Sequence, residues 1–102
     1  MNQLRIDGRL LEKQSLRYTP AGIPVIAGRL EHRSEQMEAG GARKVECEIS
    51  FVALGETAHW IFAASPGIAL SMTGFLAAKS RHSKTPVFHV QTIEFLEGTT
   101  NG

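Results

Sequence analysis

The sequence feature that most constrains the fold is a pair of apolar strands separated by a basic segment, within residues 68–96. Leu70, Met72 and Gly74 alternate with small or polar residues, which is typical of a strand with one buried face. Residues 79–84 are polar and cationic, and a second apolar strand follows them. This order predicts a β-hairpin with a positively charged tip. A glycine inside a strand also predicts a bulge or a bend.

The rest of the sequence supplies three more alternating segments and one helix. Strands are predicted over residues 3–11, 25–32 and 43–54, and the alternation is clearest in the last of these. Residues 33–42 are polar and contain two adjacent glycines, which predicts a mobile loop. Residues 55–64 fit a short helix better than a strand.

Five strands with a single helix between the third and the fourth follow the order of the OB-fold, a partly open five-stranded barrel. Glycines within the first and fourth strands permit the tight curvature that a barrel needs, whereas a flat sheet backed by one helix would not require them. We therefore predict an all-β OB-fold domain over residues 1–98, followed by a flexible C-terminal tail over residues 99–102.

Composition narrows the class of protein. The 102 residues suffice for one small domain, and they contain no run of eighteen apolar residues that could span a membrane. The N-terminus is charged where a signal peptide needs an apolar core, so we expect a cytoplasmic protein. Cys47 is the only cysteine and cannot form an internal disulfide, and we predict a buried, reduced thiol.

No residue pattern indicates catalysis. Asp7, the one aspartate, lies on the predicted solvent face beside two arginines, where a surface ion pair fits it better than acid–base chemistry. The four histidines and Cys47 lack the short spacing of zinc ligands, and no glycine-rich phosphate loop or nucleophile elbow is present. We therefore predict a protein that is not an enzyme and that has no metal and no cofactor.

The distribution of charge suggests a binding surface. The formal net charge is only +1, but residues 5–33 carry six basic and three acidic side chains, and residues 70–90 carry three basic and none acidic. Cations that neutralise phosphates, together with rings that stack on bases, are what single-stranded nucleic acid requires. The alternative is that the basic hairpin tip only keeps a loop soluble.

Few aromatic residues are candidates for base stacking. Tyr18, within a turn next to Arg17, is the best candidate for an exposed ring. Phe51 is predicted to lie in the core, and Trp60 and Phe62 are predicted to plug one end of the barrel.

Four short strings, in order along essentially the whole chain, resemble the family of bacterial primosomal replication protein N (PriB), whose members are single-strand-binding OB-folds. LEHRS followed by EAG is specific to that family, whereas GF and IE recur in many single-strand-binding OB-folds. The strings are GIP at 22–24, LEHRSEQMEAG at 30–40, GF at 74–75 and QTIEFL at 91–96.

The resemblance implies a homodimer that binds single-stranded DNA and catalyses no reaction. It also implies a role in replication restart, in which the family assists the primosomal helicase PriA, interacts with other primosome proteins and helps to load the replicative helicase. By position, the resemblance assigns Arg17 and Arg33 to DNA contacts, and it assigns a basic loop to contacts with DNA and helper proteins. Together with the candidates from the residue patterns, the predicted nucleic-acid-binding residues are Arg17, Tyr18, Arg33, Lys44, Lys79, Arg81 and Lys84.

One departure from the family pattern affects the expected affinity. Family members can carry aromatic rings at positions that match Gly41 and Glu46, and Glu48 faces the same way as Glu46. A carboxylate in place of a ring removes stacking and repels phosphate, so we expect weaker DNA binding than in a ring-bearing relative. The alternative function is a protein-interaction OB module that stimulates a partner helicase and binds DNA only weakly.

Overall fold

The computed structural model describes residues 1–96, and it has the element order of an OB-fold. Apart from the two-residue strand β2, the order of five strands and one helix is the predicted one. The predicted tail over residues 99–102 lies outside the described residues. The elements are β1 (Leu4–Lys13), β2 (Arg17–Tyr18), β3 (Pro24–Glu38), β4 (Gly41–Leu54), α1 (Glu56–Ala63), β5 (Ala69–Ala78) and β6 (Pro86–Phe95).

The strands close into a barrel. They are arranged in the order β1-β5-β6-β4-β3, and β1 also pairs with β3, which joins the two ends of the sheet. The pairing of β4 with β6 is parallel, and the other pairings are antiparallel. The predicted five-stranded OB-fold barrel is therefore confirmed, with its helix between β4 and β5. The described part of the chain contains no helix with the length and apolarity that crossing a membrane requires.

Three strand glycines lie where neighbouring backbones approach most closely. A Cβ atom on Gly74 would overlap the backbone carbonyl oxygen of His89 in β6. Gly8 in β1 and Gly28 in β3 face carbonyl oxygens of the adjoining strand in the same way. The register of β5 with β6 shifts between Thr73 and Gly74, so the bulge predicted from the mid-strand glycine is confirmed.

The core fills the barrel from all five long strands, and the region of α1 covers one end. Phe51 lies in the core as predicted, but the prediction that Trp60 and Phe62 plug the barrel is wrong, because they are 55% and 49% exposed. Ala58 and Ile61, three residues apart, take the inward side of this eight-residue helix instead. The buried hydrophobic residues are Leu10, Ile26, Leu30, Phe51, Ala53, Ala58, Ile61, Ala64, Leu70, Met72, Phe88 and Val90.

The predicted mobile loop over residues 33–42 is wrong, because β3 and β4 form one long hairpin. Their pairing runs without interruption from Val25 opposite Leu54 to Glu38 opposite Gly41. Ala39 and Gly40 form the turn with φ of 51° and 82°, as two-residue hairpin turns require.

The outer part of this hairpin, residues 33–46, is called the hairpin arm below. Its polar residues show no clear alternation because most of the arm is exposed on both sides. Cys47, at its base, is exposed for the same reason, so the predicted buried thiol is wrong.

Candidate nucleic-acid interface

A cleft of about 530 Å³ lies on the outer surface of the barrel. Strands β3, β4 and β6 form its floor, which includes Ala27, Ser50 and Val52. Arg17 of β2 lines it, and so does Lys79, which follows the last residue of β5. This surface, with the flanking loops, is where OB-folds bind oligonucleotides.

Five of the seven predicted binding residues belong to the two segments that border this cleft. Arg17 and Lys79 line it directly, and Tyr18, the neighbour of Arg17, is 60% exposed. Arg81 and Lys84 are exposed in the connection between β5 and β6. The prediction of a hairpin with a cationic tip is therefore confirmed as structure.

The basic connection is held in shape by its own hydrogen bonds. The amide of Lys79 donates to the carbonyl of Thr85 at 2.8 Å, which closes the base of the loop. The hydroxyl of Ser80 accepts from the amides of His82 and Ser83 at 3.2 and 3.1 Å. These bonds fix the backbone of the tip and leave the cationic side chains of Arg81 and Lys84 exposed to solvent.

Four cations around the cleft have no acidic partner in the described part of the chain. Within residues 1–96, no carboxylate lies within ion-pair distance of Arg17, Lys79, Arg81 or Lys84. Their positive charge is therefore available to an incoming anion.

Arg33 and Lys44 lie apart from this group, on the outer face of the hairpin arm. Arg33 approaches Glu31 at 3.5 Å and Glu46 at 3.9 Å, and it lines a separate depression beside β1. Lys44 is exposed and lies opposite Glu35 in the strand register. The structure thus divides the predicted binding residues between the cleft and the arm, and the cations of the arm are interleaved with carboxylates.

Arg29 is a cleft residue that the sequence reading missed. Its guanidinium donates to Glu12 at 2.6 Å and to Glu48 at 2.5 Å. The hydrogen bond and the charge of Glu12, followed by the charge of Glu48, raise the pKa of Arg29 above its ordinary value. The alternation of β3 places Arg29 on the outer face of the strand, and this was the signal that could have identified it. Its two carboxylate partners belong to β1 and β4, so the sequence around Arg29 does not indicate them.

Metal-ligating side chains do not gather anywhere in the described residues: no group of three or more His, Cys, Asp or Glu side chains there is placed to hold a metal ion.

Comparison with known proteins agrees with this geometry. Residues 2–92 match a family described as "another single-strand binding protein family". The chain is 41% identical over 90 residues to the replication restart protein PriB of Nitrosomonas europaea. The aligned residues make up 88% of this chain and 83% of that protein.

Solved structures give the same result. The structure of PriB from Ralstonia solanacearum has a TM-score of 0.85 and 35% identity, covering 95% of this chain and 99% of that chain. The wild-type single-stranded DNA binding protein from Thermus aquaticus has a TM-score of 0.76 and 25% identity, covering 97% of this chain and 52% of that chain.

A closed barrel of this topology, matched over nearly all of its length, defines a protein of the single-strand binding class. The relatives narrow the assignment further, because their identity is high and extends over most of both chains. The chain belongs to the family of replication restart proteins PriB. The resemblance predicted from four short sequence strings is therefore confirmed.

Proposed function

We propose that this chain binds single-stranded DNA as a non-enzymatic accessory protein of the primosome and assists the PriA helicase in replication restart. On this proposal it acts as a homodimer in the cytoplasm. The observation that carries the proposal is the cleft lined by Arg17 and Lys79. Neither of these cations, nor Arg81 and Lys84 beside them, has an acidic partner within residues 1–96.

The phosphates of a single strand would lie along these free cations. Each neutralised phosphate releases counterions, so cations without an acidic partner contribute most to binding. In contrast, Arg33 on the hairpin arm is already close to two carboxylates. We therefore assign the larger share of the affinity to Arg17, Tyr18, Lys79, Arg81 and Lys84, and the smaller share to Arg33 and Lys44.

The proposal is tested by titrating a fluorescein-labelled oligo(dT) with the protein and recording anisotropy at several salt concentrations. Log affinity should fall linearly with log salt, because each contacted phosphate of a single strand contributes about 0.7 to the slope. Lys84→Ala should reduce that slope by about 0.7 and weaken binding several-fold at low salt.

Arg43→Ala is the matched control for Lys84→Ala. Arg43 is an exposed cation, but it lies 3.3 Å from Glu38, so its removal should leave the slope nearly unchanged. Equal slopes for wild type and Lys84→Ala would remove the hairpin tip from the DNA site.

Glu48→Gln is expected to strengthen binding two- to fivefold at low salt. The substitution removes one of the two carboxylates that engage Arg29, which lies in the cleft, and makes its charge more available to phosphate. The same anisotropy titration measures this gain, and the salt slope should rise by up to about 0.7. Affinity at or below that of wild type would show that Arg29 does not meet the strand.

A second candidate function is a protein-interaction module that stimulates a helicase and binds DNA only weakly. It is favoured by the carboxylates that face Arg29 and Arg33 on the outer face of β3 and β4. One comparison separates the two functions. The alternative requires that the protein stimulates unwinding by PriA at concentrations at which its own titration shows little oligonucleotide bound. The mass in solution, measured with and without oligonucleotide, tests the homodimer.

A further inference from the structure

We propose that the imidazole of His89 is a stacking platform for one nucleobase of the bound strand. The inference deepens the proposed binding of single-stranded DNA and rests on it. His89 lines the cleft together with Arg17 and Lys79, which are the cations assigned above to phosphate. A ring placed beside two phosphate-binding cations is the arrangement by which single strands are held without sequence preference.

The strand register places His89 within a transverse row on the outer surface of the barrel. Ala27 of β3 pairs with Val52 of β4, Val52 pairs with His89 of β6, and His89 pairs with Phe75 of β5. The row therefore runs from the small side chain of Ala27 to two rings. A base entering the cleft over Ala27 and Val52 would meet the imidazole next along this row.

Phe75 supports the imidazole from behind. The two rings are stacked, with centroids 5.1 Å apart and an interplanar angle of 12°. Gly74 allows the backbones of β5 and β6 to approach closely at this point, because a side chain there would meet the carbonyl of His89. The imidazole is thus held in one orientation before any base arrives, which lowers the entropy cost of stacking.

Phe75 lines a neighbouring depression with Leu54 and Thr57, whereas His89 lines both that depression and the cleft. His89 therefore stands at the boundary between the two, with Phe75 against one face of its ring. Its side chain is partly exposed, and its ring nitrogens have no hydrogen-bond partner within residues 1–96. They are available to the polar edge of a base.

Tyr18 is exposed beside Arg17, but it is not among the residues that line the cleft. Among the residues that line it, the other aromatic side chain is Phe51, which is only 1% exposed. The floor from β3 and β4 presents Ala27, Ser50 and Val52 instead. Stacking in the cleft is therefore assigned to His89, and it partly replaces the rings that Gly41 and Glu46 lack on the hairpin arm.

The test compares His89→Ala with His89→Phe in the anisotropy titration with oligo(dT). Loss of one stacked base should weaken the binding of His89→Ala about tenfold, the equivalent of ~1.4 kcal/mol. The salt slope should stay that of wild type, because no phosphate contact is lost. His89→Phe keeps a ring and should bind within about twofold of wild type.

Two controls separate stacking from other effects. An oligonucleotide whose nucleotides are all abasic should bind wild type and His89→Ala equally. His59→Ala removes an exposed histidine on α1, outside the residues that line the cleft, and should change nothing. If His89→Ala melts at a lower temperature than wild type, NMR of the wild-type protein tests the stacking instead. The imidazole C–H resonances of His89 should move upfield when a base stacks on the ring.

Three results would overturn the proposal. Unchanged affinity of His89→Ala with unchanged imidazole resonances leaves the DNA site in place but without this platform. A reduced salt slope in both His89 variants would make His89 a phosphate contact. Failure of the wild-type protein to bind any oligonucleotide would reject the proposed function and the platform together. The titration of the wild-type protein distinguishes this outcome from the loss of the platform alone.

Discussion

Gly74→Ala is expected to lower the free energy of unfolding by about 3 kcal/mol, at the upper end of typical overpacking costs. The added methyl group would overlap the backbone carbonyl of His89, which cannot rotate away as a side-chain tip can. The strain would open the β5–β6 pairing at the bulge between Thr73 and Gly74. Small domains are stable by only about 5–15 kcal/mol, so this is a large share of the total.

Thermal unfolding followed by circular dichroism measures the effect, and the midpoint should fall by roughly 10–20 °C for a domain of this size. Gly41→Ala is the matched control. No atom outside its immediate neighbours lies within 4 Å of a Cβ atom at this position, and the φ angle of Gly41 is not positive. That variant should melt at the wild-type temperature or slightly above it, since alanine restricts the unfolded chain. Similar midpoints for the two alanine variants would contradict the close approach of β5 and β6.

Glu46→Trp is expected to raise the affinity for single-stranded DNA about tenfold or more. Glu46 is 71% exposed on the outer face of the hairpin arm, opposite Arg33. The substitution removes a charge that repels phosphate and adds a ring whose stacking on a base contributes roughly 1–3 kcal/mol. It also places a ring where members of the family can carry one.

Glu46→Gln separates the two contributions to this gain. It removes the charge without adding a ring, so it should give only a small increase in affinity, together with a steeper salt dependence from the released Arg33. Glu46→Trp should exceed it at high salt, where the contribution of charge is suppressed and stacking persists. Equal affinities of the two variants in 0.5 M salt would show that the hairpin arm does not contact bases.

The sequence predicted the barrel because burial imposes a period of two wherever one face of a strand meets the core. Leu70 and Met72 are fully buried for this reason, and Gly74 marks the bulge. The same rule failed on the hairpin arm, where both faces are exposed and no period develops. It failed for Cys47 as well. The alternation of apolar residues in β4 extends beyond the part of the strand that meets the core, and Cys47 lies in that outer part.

The sequence predicted the cations of the candidate site but not the side chains that contact Arg29 and His89. Runs of basic residues identified Arg17 and the loop that begins at Lys79, and the fold brings these two segments to one cleft. The carboxylates that pair with Arg29, and the ring of Phe75 that stacks on His89, come from neighbouring strands that are distant in sequence. Such contacts depend on register, which a bulge changes by one residue, so a local pattern carries no information about them.

The strand order also determines when a newly made chain can complete its barrel. β6, the last of the strands within residues 1–96 to be synthesised, lies between β5 and β4 and is the bridge that joins them. While the polypeptide is still leaving the ribosome, the β3–β4 hairpin can form from adjacent segments, but the inner faces of β1, β3 and β4 have no cover. Closure must wait for residues 86–95, so the nascent chain exposes its apolar interior until this segment has been made.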